Sequence, residues 1–270
     1  MSHAEYRAEI PQPDRNHPMT PLVQRHLQDF FAAMIPATAP DAPGTVLRVT
    51  RLLHPLGNIA TIDATISAAM LSEFIRPLQA PDFPAAVVLV GGDIEDQARI
   101  LASHGFFRAE SMCLMSVSRS TLRTTPIPPD FQLVRLSPAD DRRFADAFAE
   151  GYALPHELAA MFAPSAAQRA GLKARYYAIE SREQPGGSLA AVSMCAILNG
   201  IPGIYAVATR PSHRGKGLAA HLTAEPLRHA WSEGFEQGLL QSSQMGEPVY
   251  RRIGFEGHGY MALYVRVPAQ

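Results

Sequence analysis

Ile204-Tyr205-Ala206-Val207-Ala208-Thr209-Arg210-Pro211-Ser212-His213-Arg214-Gly215-Lys216-Gly217-Leu218-Ala219 is the stretch on which the fold of this chain turns. A β-branched run ends at Thr209, and Pro211 cannot extend a ladder. A basic, glycine-bearing loop follows. Apolar residues at Leu218, Ala219, Leu222 and Ala230 then mark one face of a helix. The first N–H groups of a helix lack internal partners and sit at the positive end of its dipole. Glycines before that start let the chain curl, so that successive N–H groups converge on one anion. Strand, loop and helix together predict an anion cradle over Arg214–Ala219. A solvated basic loop is the plainer alternative for Arg214-Gly215-Lys216-Gly217 alone. No G-x-x-x-x-G-K-[ST] and no G-x-G-x-x-G after a strand competes with it.

Around this stretch the C-terminal half parses as β-α-α-β-β-β-α-β-α-β. Phe131–Leu136 is a predicted strand, and Ser137-Pro138-Ala139-Asp140 has the cap, proline and acid of a helix start. That helix runs to about Glu150, with a shorter one near His156–Phe162. Two strands follow, about Ala174–Glu180 and Ser188–Leu198. Asn199-Gly200 is a hairpin turn signal leading into the strand Gly203–Thr209. The cradle helix extends to Trp231, interrupted by Pro226, which should bend it.

The sequence also repeats. Ala85–Val90 is followed by a helical Ile94–Ser103, Gly105-Phe106 and Met112-Cys113-Leu114. Gly238–Ser242 is followed by a helical Glu247–Ile253, Gly254-Phe255 and Met261-Ala262-Leu263. Both halves end in G-F-x5-M-x-L, with Phe106 and Phe255 standing 149 residues apart. The order strand–helix–strand around the match indicates an internal duplication. Between the halves, Thr124-Thr125-Pro126-Ile127-Pro128-Pro129-Asp130 reads as an extended connector. The expected domains are residues 1–123, a linker at 124–130, and residues 131–270. Prolines between Pro36 and Pro43 suggest a break after an opening helix at about Pro21–Met34.

Bulk properties set outer limits. The formal net charge of −1 gives no reason to expect nucleic acid or an anionic membrane as partner, so any pull on anions is local. The two cysteines, Cys113 and Cys195, lack metal or disulfide spacing and read as buried thiols. No run has the length of a membrane span, and the N-terminus has no signal-peptide core, so a cytoplasmic location is expected.

Arg214-Gly215-Lys216-Gly217-Leu218-Ala219 resembles the central Arg/Gln-x-x-Gly-x-Gly/Ala motif of the GCN5-related N-acetyltransferase (GNAT) superfamily. Pro248-Val249-Tyr250-Arg251-Arg252-Ile253-Gly254-Phe255 resembles that family's tyrosine-bearing helix and the Gly-Phe entry to its next strand. The likeness spans about residues 130–268, with Ala219 in place of a commoner glycine. It implies an α/β (α+β) fold with two GNAT-like mixed sheets flanked by helices. Acetyl-CoA would enter a V-shaped split in the C-terminal sheet, and no metal is implied. Its pantetheine would pair with Val207, Ala208 and Thr209, and its pyrophosphate would lie on the N–H groups of Arg214, Gly215, Lys216, Gly217, Leu218 and Ala219. Tyr250 would be the general acid for the departing thiolate, and a backbone N–H near Val207 would polarise the thioester. A packing role for Tyr250 beside Phe255 is the alternative.

The strand Gly203–Thr209 carries no carboxylate, so no general base is readable. Glu150, His156 and Glu157 border the expected acceptor region, although each also reads as an exposed polar side chain. Ser242 and Ser243 are candidates to hold the acceptor or a water. His221, Glu225 and His229 share a helix face, which reads as solvated and not as a metal site. The N-terminal half lacks the cradle and has Leu101 where the C-terminal half has Tyr250, so it is expected to be a degenerate copy. The function expected is N-acetyl transfer to a primary amine of a small molecule or peptide. A non-catalytic acetyl-CoA-binding or regulatory protein is the alternative, and the oligomeric state is unspecified.

Overall fold

The computed structural model describes residues 19–37, 41, 44–63, 66–80, 82–90 and 95–268. The N-terminal ten residues and part of the Pro36–Pro43 segment lie outside that set. The opening helix α1 spans Met19–Met34. Strands β1 (Thr45–Val49) and β2 (Asn58–Asp63), helix α2 (Ala68–Phe74), β3 (Ala85–Val90), α3 (Glu95–Ser103) and β4 (Phe107–Ser118) complete the N-terminal half. After the connector come β5 (Phe131–Leu136), α4 (Asp141–Tyr152), α5 (His156–Ala160) and α6 (Pro164–Arg169). The chain closes with β6 (Ala174–Ser181), β7 (Leu189–Leu198), β8 (Ile201–Thr209), α7 (Leu218–Trp231), β9 (Gln237–Ser242), α8 (Glu247–Arg252) and β10 (Glu256–Arg266). Helix α6 is an addition to the expected order. Ser137 caps a single 3-10 turn through a capping box with Asp140, and α4 starts from there. Asn199 and Gly200 both have positive φ, as a tight hairpin between β7 and β8 requires.

The α/β class stands, but the two sheets are one. Among the described residues, ten strands form a continuous mixed sheet in the order β1-β2-β3-β10-β4-β9-β8-β7-β6-β5. The halves achieve this by exchanging their last strands. β4 leaves its own half to pair with β9, and β10 leaves the other to pair with β3. At the centre β4 and β10 pair antiparallel, with Met112 opposite Met261. Those two methionines occupy the same place in the repeated G-F-x5-M-x-L motif, so an approximate two-fold axis passes through them. The repeat is therefore the seam of the molecule, and hydrophobic ends that would be sheet edges in either half alone are covered by the other.

One face of the sheet carries α1, α4, α5 and α6 over a core that includes Phe30, Phe144, Phe148, Phe162 and Tyr176. The opposite face of the C-terminal half carries α7 and α8 over Leu222, Leu227, Trp231 and Phe255. Helix α1 belongs to the N-terminal half but packs on β8. Its Phe30 ring stacks on Tyr205 at 3.7 Å, and its buried His26 meets the Tyr205 hydroxyl at 2.6 Å. The close approach needs Gly203, since a Cβ there would lie 2.2 Å from the His26 ring. No helix among the described residues is long and apolar enough to cross a membrane.

Candidate active site

The two parallel strand pairs of the molecule differ. In the N-terminal half β2 and β3 are paired in register over five positions, from Ile59 opposite Ala86 to Asp63 opposite Val90. In the C-terminal half β8 and β9 touch at one position, Gly203 opposite Leu239, and then part. A bulge accompanies the parting. Ala206 and Val207 of β8 stand against the single residue Ser193 of β7, and Ala206 takes φ +50°. A bulge bends its strand and redirects backbone groups, here at the edge of the split. An added extended ligand could bond to this unpaired edge as a strand would.

Strand β8 leads into the loop expected to cradle phosphate. A single turn at Pro211–His213 is followed by extended Arg214, and Gly217 occupies the position before α7 at φ +76°. Among the described residues no side chain caps that helix start, so its first N–H groups face outward for a ligand. Among the described residues the only atom within 4 Å of a Cβ built at Gly217 is Thr125 Cγ2, at 3.6 Å. The cationic side chains are engaged elsewhere. Arg214 donates to the carbonyls of Gly151 (2.9 Å) and Thr209 (3.4 Å), and the Lys216 ammonium lies 5.2 Å from the Phe131 ring centre. Partial burial, with the Lys216 and Arg210 cations, holds His213 below the usual histidine range. At the end of β8 the Thr209 hydroxyl oxygen is buried without a hydrogen-bond partner. Leu218 is buried and Ala219 partly so, which anchors the first turn of α7.

A cavity of about 160 Å³ opens at the split, lined by Ala206, Val207, Gln241, Tyr152, Tyr250 and a surrounding wall of apolar side chains. Tyr250 therefore projects from α8 into the same space as the bulged backbone of β8. Its ring also packs edge-on against Phe255 at 5.9 Å, so packing and a site role coexist. Burial pushes its hydroxyl above the ordinary tyrosine value, with neighbouring Tyr152 adding to the effect. The phenol is thus protonated across the physiological range and able to donate.

The remaining candidates fall away from this space. Ser242 is 1% exposed and its hydroxyl donates to the Ser243 carbonyl at 2.8 Å. Ser243 accepts from the Gly246 N–H at 3.2 Å and shapes the turn into α8. From β9 it is the neighbouring Leu240 and Gln241 that line the cavity. His156 is exposed and bonded to Asp146 at 2.9 Å, and Glu150 is paired with Arg210. His221 donates to the Thr125 carbonyl at 2.7 Å and so pins the connector. His229 meets the Tyr177 hydroxyl at 3.2 Å, and Glu225 pairs with Arg228. Among the described residues no group of three metal-ligating side chains converges. In the N-terminal half Leu101 is fully buried in the core beneath β3, and no cavity residue comes from α3.

The comparisons with known proteins agree with this geometry. Residues 142–257 match the family model of the acetyltransferase (GNAT) domain. A search of curated proteins finds no match. Among solved structures, a GCN5-related N-acetyltransferase from Kribbella flavida aligns over 92% of this chain and 96% of its own at 21% identity and a TM-score of 0.64. One from Sphaerobacter thermophilus aligns over 91% and 86% at 14% identity and a TM-score of 0.62. A tandem GNAT protein from the clavulanic acid biosynthesis pathway aligns over 97% and 98% at 14% identity and a TM-score of 0.54. At these identities the structural matches speak for the fold alone, and the domain match speaks for residues 142–257. Residues 142–257 thus match a GNAT acetyltransferase domain, and the chain as a whole shares the fold of GCN5-related N-acetyltransferases.

Proposed function

We propose that the protein is an acetyl-CoA-dependent N-acetyltransferase acting on a primary amine of a small molecule or peptide. The observation that carries this is a coincidence in the fold: the opened edge of β8 and the Tyr250 phenol line one cavity, and the same strand runs on through a short basic loop into the uncapped start of α7. Acetyl-CoA, when bound, supplies the thioester. Its pantetheine would pair along Val207–Thr209 and its pyrophosphate would rest on the N–H groups of Arg214–Ala219, held chiefly by backbone because Arg214 and Lys216 are otherwise engaged. A neutral amine attacks the thioester carbonyl carbon, a C–N bond forms and the C–S bond breaks. A β8 N–H near Val207 steadies the carbonyl oxygen, and Tyr250 gives its proton to the departing sulfur. The ammonium formed on nitrogen loses its proton to solvent or to a nearby carboxylate.

The N-terminal half is, in this proposal, a copy without a cofactor site, since its β2–β3 pair is closed where β8–β9 is open. Both cysteines are buried and pushed up to about 12 by that burial, which makes them structural thiols suited to a reducing compartment such as the cytoplasm. Substituting Tyr250→Phe and following thiol release across an amine panel tests the assignment. A fall of about 10²-fold or more in kcat with unchanged acetyl-CoA binding is expected. Tight acetyl-CoA binding with no turnover of any amine by the parent protein would instead establish the binding-only alternative.

A further inference from the structure

The cavity at the split is walled from both halves. Phe148 and Phe162 come from the α4–α6 region, Phe30 from α1, and Val88, Met112 and Leu263 from the exchanged centre of the sheet. Apart from the Tyr152, Tyr205 and Tyr250 hydroxyls and the Gln241 amide, it offers a ligand almost no polar group. The Tyr205 hydroxyl is already bonded to His26. Aromatic rings crowd one side: Phe30 lies 6.0 Å from Phe162, which lies 5.9 Å from Phe148, which lies 5.3 Å from Tyr152. A dry cavity lined by Leu, Ile and Phe of about 150 Å³ accommodates a benzene ring, and this one measures about 160 Å³. Tyr152 lines it while remaining 51% exposed, a ring that gains from being covered.

One carboxylate stands beside this apolar space, and the N-terminal half supplies it. Glu110 of β4 lies opposite Leu263, and Met112 lies opposite Met261. Glu110 and Met112 are two apart on one strand and therefore share the face that Met112 and Leu263 present to the cavity. Glu110 Oε1 accepts from the Gln244 N–H at 3.2 Å, in the loop that leads from β9 to the Tyr250 helix. Its charge reaches the cavity rim, where it adds to the effect of burial in raising the Tyr152 hydroxyl. Among the described residues the second carboxylate oxygen has no hydrogen-bond partner to compete with a ligand.

We infer that the acceptor is a monoamine on an apolar body of about one ring, that the body fills the cavity, and that Glu110 receives its ammonium. This rests on the acetyltransferase assignment for the chemistry but not for the binding. The apolar cavity would exclude polyamines and free amino acids, whose second charge would be buried without a counter-ion. The strand exchange then has a functional consequence, because the half without a cofactor site recognises the amine.

The test uses the full chain saturated with coenzyme A and titrates 2-phenylethylamine and putrescine by calorimetry, with turnover measured in parallel using acetyl-CoA. Phenylethylamine should bind at least tenfold more tightly than putrescine. Glu110→Gln keeps an oxygen for the Gln244 N–H and should weaken phenylethylamine at least tenfold while coenzyme A binds as before, with Glu110→Asp recovering part of the loss. Met112→Trp, which fills the cavity from the far half, should weaken it similarly. In turnover the Glu110→Gln loss should fall on KM more than on kcat. Glu110-dependent binding without turnover would support this inference while refuting the enzyme assignment. Turnover indifferent to Glu110→Gln, putrescine preferred, or an acyl chain taking the cavity so that hexanoyl-CoA binds better than acetyl-CoA and excludes the amine, would overturn the inference and leave the family chemistry standing.

Discussion

Gly217→Asp probes the cradle most directly, and the structure separates its possible effects. Crowding within the protein is not one of them, because the nearest atom to the new Cβ is Thr125 Cγ2 at ordinary contact distance, 3.6 Å. The backbone is another matter: φ +76° costs a side-chain-bearing residue about 1–2 kcal/mol, somewhat less for Asp. The third effect is charge. A carboxylate at the helix start would stand roughly 5 Å from the pyrophosphate, and one such pair of like charges repels by about 1.7 kcal/mol at an effective dielectric of about 40. With two phosphates in range the total exceeds the ~1.4 kcal/mol that makes a tenfold change in affinity. Gly217→Ala shares the backbone cost without the charge and serves as the control. Calorimetry with acetyl-CoA should show Gly217→Asp weakened at least tenfold and Gly217→Ala weakened less. Higher salt should return part of the aspartate loss and little of the alanine loss. Aspartate and parent binding equally well would remove the pyrophosphate from this loop. Equal losses in both variants, insensitive to salt, would leave a backbone effect with no anion facing it.

Tyr250→Phe should lower kcat about 10²-fold with acetyl-CoA affinity retained. Because burial raises the hydroxyl, no loss of kcat from Tyr250 ionisation is expected below about pH 10 in the parent. His26 is held neutral by burial between the Tyr205 hydroxyl and the Ile201 carbonyl. Its folded value lies below 6.5, so its stabilising contribution is complete above pH 6.5 and is lost as pH falls through the folded value. Thermal melts should therefore show Tm falling on acidification below 6.5, with a shallower slope in His26→Gln; an unchanged slope would assign the effect elsewhere. A fragment of residues 130–270 should aggregate or melt well below the full chain, since it strips β4 from β9 and both β3 and β4 from β10. A soluble, active fragment would disprove the interdependence. The intact chain should bind one acetyl-CoA, and two equivalent sites in a titration would contradict the closed β2–β3 pair.

Local chemistry made much of this architecture visible in the sequence. The Asn199-Gly200 turn, the Ser137 cap and the positive-φ glycine before α7 are dictated by residues within a few positions of one another, and they lie where their chemistry requires. The repeat was equally legible, because G-F-x5-M-x-L recurs intact. Its meaning was not. Whether two matching strands close two sheets or cross into one depends on which edge each meets, and an apolar strand such as Met112-Cys113-Leu114 suits either. Which side chains meet the cavity was hidden for a related reason. Ser242 and Gln241 differ by one position on β9, yet only Gln241 of the two lines the cavity. Glu110 carried no local signal, since only its pairing opposite Leu263 brings it to the site.

The open and closed parallel pairs complete the physical account of the duplication. A parallel pair left open forfeits ladder bonds and exposes backbone, which is costly unless a ligand or another element satisfies it. At β2–β3 the cost is absent because Ile59 to Asp63 are bonded throughout. At β8–β9 it is met on one side by the Ala206–Val207 bulge, which turns the strand away, and the lost packing is made up from the other half. Phe30 and His26 of α1 brace β8 through Tyr205, the contact for which Gly203 leaves room. β4 braces β9 from Cys113 opposite Ser242 to Ser118 opposite Gln237. Both walls of the split are thus held by elements of the first half. Loosening that brace should therefore narrow or disorder the split before it unfolds the sheet. Phe30→Ala is the mildest way to do so, removing the 3.7 Å stack on Tyr205 while leaving every strand pair intact. It should weaken acetyl-CoA binding without abolishing the fold, and a variant that melts lower yet binds with parental affinity would show that the split keeps its shape unaided.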